Sequence, residues 1–160
     1  MQIYQSNVVA DFFRSRANPD VGDILSNLKL QKLCYYGAGI IAAVRQNDAR
    51  PPIFSFEMMA ADTGYSVNCC QNDDQAALSR QLFALSRLSW RDIKSAHRHG
   101  LGTEKMERGS IKAPLPASVT EDVTFLVLRF NGKKAMIGYR DGRTFHILLL
   151  DHKFTAYKHG

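Results

Sequence analysis

The chain has 160 residues, 45% of them hydrophobic, with 11 Gly and 5 Pro, which excludes a disordered or collagen-like polypeptide and suits one domain with a small appendage. Three cysteines (Cys34, Cys69, Cys70) form neither a disulfide framework nor a zinc spacing. The opening lacks a secretory pattern, and the longest uncharged apolar stretch, 34–44, falls short of the ~20 residues that cross a bilayer. The expectation is a cytoplasmic protein with no membrane partner.

The net charge of +6 is unevenly placed. Residues 1–90 carry 8 Lys/Arg and 8 Asp/Glu, whereas 91–160 carry 13 and 7, together with all five histidines (His97, His99, His146, His152, His159). A basic, histidine-rich half points to an anionic partner, of which nucleic acid is the commonest. Solubilising surface charge is the alternative, and the clustering in one segment favours the anionic partner.

In chain order, Val8, Val9, Phe12 and Phe13 recur at helical spacing and predict a first helix over 4–16, with Ser6 or Asn7 as cap. Asn18-Pro19-Asp20 breaks it. Ser26 or Asn27 caps a second helix over 28–45, whose stripe contains Leu30, Leu33, Cys34, Gly37, Ile41 and Val44. Gly37 and Gly39 inside that helix suggest close packing. Residues 47–52 (NDARPP) mark a boundary, giving domains at 1–52 and 53–160. A strand over 53–59 follows, then a helix capped by Asp73 or Asp74 and running to Arg87, burying Ala77, Leu78, Leu82, Leu85 and Leu88. Ser89 and Asp92 form a capping box for a fourth, short helix, and Trp90 anchors the helix pair to a sheet. Residues 103–111 read as a basic strand.

The last forty residues predict a three-stranded antiparallel meander over 123–130, 133–140 and 143–150. Asn131-Gly132 and Asp141-Gly142 separate its strands and are strong hairpin signals. Two-residue turns at those positions pair Arg129 with Lys134, Ile137 with His146 and Lys134 with Leu149. One face then carries Leu126, Leu128, Phe130, Ile137, Tyr139, His146, Leu148 and Leu150 and packs on the helices. Arg129, Lys133 and Lys134 collect at one end with the exit Asp151-His152-Lys153, and Tyr139, Arg140 and Arg143 at the other, roughly 20 Å away at ~3.3 Å per residue. A nucleic-acid strand spans both ends; a small ligand does not.

No metal constellation, phosphate-cradling glycine loop or nucleophile elbow stands out, so no cofactor is expected. Cys69-Cys70 reads as inert rather than reactive. The Arg, Lys, His and Tyr that remain suit metal-free phosphodiester chemistry on RNA: a base frees the 2′-hydroxyl, and cations stabilise the charge on phosphorus. Residue types alone fit solvated strand and loop charges equally well.

Two resemblances bear on this choice. Val8-Val9-Ala10-Asp11-Phe12-Phe13 and Leu28-Lys29-Leu30-Gln31-Lys32-Leu33-Cys34-Tyr35-Tyr36 resemble the start of a Panacea (SocA-like) antitoxin domain over residues 3–54. The rest of that domain is missing. Residues 53–160 resemble a RelE/ParE-like toxin in their order of strand, two helices, antiparallel sheet and Lys/His/Tyr-rich tail. The implied class is α+β, an N-terminal helical pair followed by a RelE-like domain with two helices on an antiparallel sheet. The implied activity is a metal-independent mRNA endonuclease that inhibits translation and growth, with a cognate antitoxin or toxin as protein partner. The resemblance assigns Arg129, Arg140, His152 and Tyr157 to catalysis and Lys105 and Arg108 to the RNA. Lys133, Lys134, Arg143 and Lys153 extend the RNA path. The alternatives are a non-catalytic toxin- or antitoxin-binding module and a ParE-like gyrase inhibitor. The apolar N-terminal stripe packs on its own domain or forms a homodimer.

Overall fold

The computed structural model describes residues 27–59, 61, 64–97 and 101–158. The helix expected over 4–16, the cap at Ser26, His99 and His159 lie outside them. The described residues are mixed α and β, with three helices and one five-stranded sheet, and divide after Gln46 into two units.

Helix α1 spans Asn27–Asp48, slightly beyond the expected range. Of its expected stripe, Ile41 and Val44 are exposed, as are Tyr36 and Ile40. A Cβ at Gly39 would meet nothing within 4 Å among the described residues, which therefore supply none of the close packing expected there.

The second unit contains β1 (Ile53–Ser55), α2 (Asn72–Leu85), α3 (Trp90–Ser95), β2 (Thr103–Met106), β3 (Phe125–Asn131), β4 (Lys134–Asp141) and β5 (Thr144–Asp151), in the sheet order β1-β5-β4-β3-β2. The antiparallel meander forms as expected, but the sheet is mixed: β1 runs parallel to β5, with Ile53 beside Thr144. Three residues are too few to carry an alternation, so the sequence holds no signal for the direction of β1. β2 is also shorter than expected. After Met106 the chain makes a 3₁₀ turn over Arg108–Ser110, and Ile111 then bridges to Tyr157. Arg108 is therefore not a strand residue.

Both hairpin loops sit one residue later than the dipeptides suggested. Asn131 pairs with Lys134 and Asp141 with Thr144, leaving Gly132-Lys133 and Gly142-Arg143 as the loops. Each glycine takes positive φ (56° and 55°) at the first loop position, the requirement of a type II′ turn rather than the I′ turn assumed. Irregularities between Arg129 and Asn131, and between Ile137 and Gly138, shift the ladders further. Lys134 thus faces Asn131 instead of Arg129 on β3, Leu149 faces Ile137 instead of Lys134, and His146 faces Tyr139 instead of Ile137.

A change of register redistributes side chains between faces. Leu128, Phe130, Met136, Phe145, Ile147 and Leu150 pack with Leu78, Leu85, Trp90 and Ile93 on the helix side. Phe125, Val127, Ala135, Ile137, Leu148 and Leu149 form a second core under Ala113, Val119, Ala156 and Tyr157. The single apolar face expected from the sequence is thus split: Ile137 and Leu148 belong to the second core. The sheet is buried on both sides because the segments after β2 and β5 cover the face the helices leave.

α2 starts two to three residues earlier than expected, with Gln71 rather than Asp73 or Asp74 at the cap position and making no side-chain bond. Asp73 and Asp74 lie in the first turn, where negative charge suits the helix dipole. α3 opens with the expected capping box, the Ser89 hydroxyl accepting from the Asp92 amide and the Asp92 carboxylate from the Ser89 amide. Trp90 is fully buried, packs edge-on against Phe145 and donates its indole N–H to the Arg143 carbonyl at 2.9 Å. It ties α3 to the sheet, as the sequence suggested.

Candidate nucleic-acid interface

The strand ladders carry the basic side chains to two ends of the sheet. Arg129 stands opposite Ala135, and Arg140 lies further along β4, roughly 17 Å away at ~3.3 Å per residue.

At the far end the cations have internal partners. The Arg140 guanidinium donates to Asp48 Oδ1 at 2.6 Å and to the Gly142 carbonyl at 2.6 Å, and lies 4.5 Å from the centroid of the Trp90 ring. Lys94 Nζ reaches the same Asp48 carboxylate at 2.9 Å. Burial works against the charged Asp48, but hydrogen bonds from Lys94 and Arg140 outweigh it and hold its carboxyl below the usual range. Arg143 donates to the Pro51 carbonyl at 2.6 Å. Arg140 and Arg143 therefore secure the segment that enters β1.

The near end is divided by the sheet. On the helix side, Lys134 Nζ donates to both oxygens of the buried Asp74 at 2.8 and 2.7 Å, and Asn131 adds a third bond at 2.8 Å. His152 is buried, with Nε2 at 3.1 Å from the Gly64 carbonyl oxygen. Lys153 is exposed. Cys69 is exposed too, and its thiol is pulled below the ordinary range by a hydrogen bond from Ser66, with a smaller contribution from Lys153. Neighbouring Cys70 is buried and pushed up by that burial.

On the opposite side lies a group centred on Tyr157. The buried Asp151 carboxylate accepts from the amides of Thr155 and Ala156 at 2.8 and 3.0 Å, and Phe154 takes a left-handed φ of 59°. This turns the tail back over the sheet, where Tyr157 bridges to Ile111. Burial raises the Tyr157 phenol above its usual range; the Arg129 cation pulls it down, and the Asp151 and Glu104 carboxylates push it up. Arg129, half-buried, donates to the Lys133 carbonyl in the adjoining turn, and Lys133 is exposed.

Of the remaining expected contacts, Lys105 is exposed on β2, and Arg108 donates to the carbonyls of Val119 and Thr120 at 3.3 and 3.0 Å beside the Phe125 ring. Arg129 and Tyr157 thus come together, His152 falls on the other side of the sheet, and Arg140 lies at the far end. Sequence reasoning missed Glu104 and Asp74. Glu104 was concealed in a strand read as basic, and Asp74 as a helix cap. Among the described residues no group of three or more His, Cys, Asp and Glu could hold a metal ion, and no helix is long and apolar enough to cross a membrane.

No protein-family model, curated protein or solved structure matches the chain.

Proposed function

We propose that this protein is of the toxin-antitoxin type and that its sheet unit is a metal-independent, RelE-like mRNA endonuclease. The observation that carries the reading is that Arg129, Glu104 and Tyr157 share one side of the sheet: Glu104 stands opposite Val127 and Arg129 opposite Ala135, and Tyr157 belongs to the same core as Val127 and Ala135. The three supply the parts that RNA cleavage needs. Glu104 takes the proton from the 2′-hydroxyl. The 2′-oxygen bonds to phosphorus, and Arg129 stabilises the added negative charge. Tyr157, kept protonated by burial, delivers its proton to the 5′-oxygen as the P–O5′ bond breaks, leaving a 2′,3′-cyclic phosphate. Lys133 and Lys153 hold flanking phosphates, and His152, bound at Gly64, positions the tail.

The test is incubation of purified protein with labelled mRNA, with and without ribosomes, in the presence of a chelator. The expected product ends in a cyclic phosphate. Arg129→Ala and Tyr157→Phe reduce its formation by about 100-fold or more while the fold is retained. Intact mRNA in both conditions, with normal growth on expression, refutes the proposal.

One observation favours a second reading. Tyr36, Ile40, Ile41 and Val44 of α1 are exposed apolar side chains within three turns of helix, as a module that docks on a partner toxin or antitoxin requires. Capture of such a partner without RNA cleavage selects it.

A further inference from the structure

At the end of the sheet where β3 begins and β4 finishes there is a cleft of about 420 Å³, lined by Asp122, Val123, Thr124, Tyr139, Arg140 and Asp141. Its size is within the range of small-molecule sites. Tyr139 is held from behind: its ring stacks on His146 with centroids 4.9 Å apart and planes 18° from parallel. His146 Nδ1 is buried without a hydrogen-bond partner among the described residues, and the imidazole plane is turned to the Tyr139 ring. A ring fixed in advance loses little entropy when a second ring settles on it.

The polar groups around the cleft are mainly acceptors. Asp122 and Asp141 are exposed carboxylates, while the guanidinium of Arg140 is turned to Asp48 and Gly142. Such a rim repels phosphate and attracts a planar group with adjacent N–H donors. A neighbouring cleft of about 500 Å³ shares Val123 and Thr124, and Lys105 and Arg108 line it together with Glu107 and Glu121. An aromatic platform with carboxylates beside it and cations one step away matches a nucleotide whose base and phosphate are read separately.

We propose that the Tyr139 cleft is a base-recognition subsite selecting guanine in single-stranded RNA. The inference rests on the RNA reading above. Guanine presents N1–H and N2–H together on its Watson–Crick edge, which a carboxylate accepts as a pair. Adenine and cytosine place an unprotonated ring nitrogen beside their amino group, and its lone pair faces the carboxylate. Tyr139 follows Ala135 on β4 by four residues, about 13 Å at ~3.3 Å per residue. Ala135 is the neighbour of Arg129, so the subsite lies a few nucleotides from the proposed scissile phosphate.

Fluorescence anisotropy with non-cleavable 2′-O-methyl octamers tests this on the full chain. The probes are oligouridine and the same octamer with one central guanine or adenine. The guanine octamer is expected to bind about 10-fold more tightly than the others. Asp122→Asn with Asp141→Asn removes that preference, and Tyr139→Leu weakens the guanine octamer by about 10-fold, with folding checked by circular dichroism. Equal binding of all three octamers, unchanged by these substitutions, overturns the subsite and leaves the RNA reading standing. If no octamer binds, the RNA reading fails and the subsite with it.

Discussion

Replacing Lys134 by Met separates the two roles open to a basic residue on this sheet, contact with RNA or support of the fold. Asp74 is 2% exposed, and its carboxylate is held by two bonds from Lys134 and one from Asn131. The substitution keeps the aliphatic stem but leaves a buried carboxylate with one neutral donor. Breaking a buried pair from one side costs about 3–5 kcal/mol. Because the Lys134 side chain is 26% exposed, water reaches the site and the lower figure applies, about 3 kcal/mol. For a unit of this size that is a fall in Tm of roughly 12 °C.

The pH dependence has a definite sign. Burial pushes the Asp74 carboxyl up, but the hydrogen bonds from Lys134 and Asn131 outweigh it, and the folded-state pKa lies below the ordinary value. A depressed carboxyl pKa contributes stability above the unfolded value of about 3.9, and that stability is lost as pH falls through the folded value. In Lys134→Met the Lys134 bonds are gone and burial raises the pKa instead. The stability gap between wild type and variant is therefore full at pH 7 and closes towards pH 3. Urea unfolding followed by the single, fully buried Trp90 measures both. Lys134→Met combined with Asp74→Leu restores most of the loss, because an apolar pair of similar volume replaces the ion pair. A deficit under about 1 kcal/mol at pH 7, or one that does not shrink with acid, refutes the reasoning and returns Lys134 to the RNA path.

The other expectations are simpler. Trp90→Phe removes the indole bond to Arg143 and orphans that carbonyl, lowering stability by about 1–2 kcal/mol in chemical denaturation. Gly138→Ala drives a Cβ into the backbone oxygen of His146, so the β4–β5 pairing must shift; the cost is about 3 kcal/mol, read as lost near-UV dichroism. If Tyr157 is the proton donor, its raised pKa keeps the rate of RNA cleavage from falling until above about pH 10, and Tyr157→Phe removes that alkaline fall together with most of the rate.

How far the fold and site were legible in the sequence depends on the range of the interaction that decides each feature. The capping box at Ser89 and the two hairpins are set within a few residues; the box appears where the sequence points to it, and both hairpins form with their loops one residue later. Register is set by turn type and by bulges. The glycines at 132 and 142 carry positive φ alone, so the type II′ geometry moves each loop on by one residue. That small displacement places His146 against Tyr139 and Lys134 beside Asn131, and the bulges at 129/131 and 137/138, each changing the pairing by a single residue, turn an expected single apolar face into two cores. The partners of the charged residues are further removed still: Asp48 meets Arg140 across 92 positions and Asp74 meets Lys134 across 60. Composition marks 91–160 as basic, but it does not say which cations already have a carboxylate.

That distinction changes how the basic half is understood. Arg140 and Lys134 are each committed to a carboxylate from 1–90, the stretch whose own charges balance. The excess positive charge available to a polyanion is thereby narrowed to exposed lysines such as Lys105, Lys133 and Lys153, together with half-buried Arg129. Affinity for RNA through exposed lysines is a counterion-release effect and falls steeply with salt, whereas the Arg140 and Lys134 pairs, being partly buried, respond to salt much less. Raising ionic strength therefore separates the two sets of cations in the unaltered protein. RNA binding is lost while the unfolding midpoint hardly moves, and a parallel loss of both shows that the same charges serve fold and ligand.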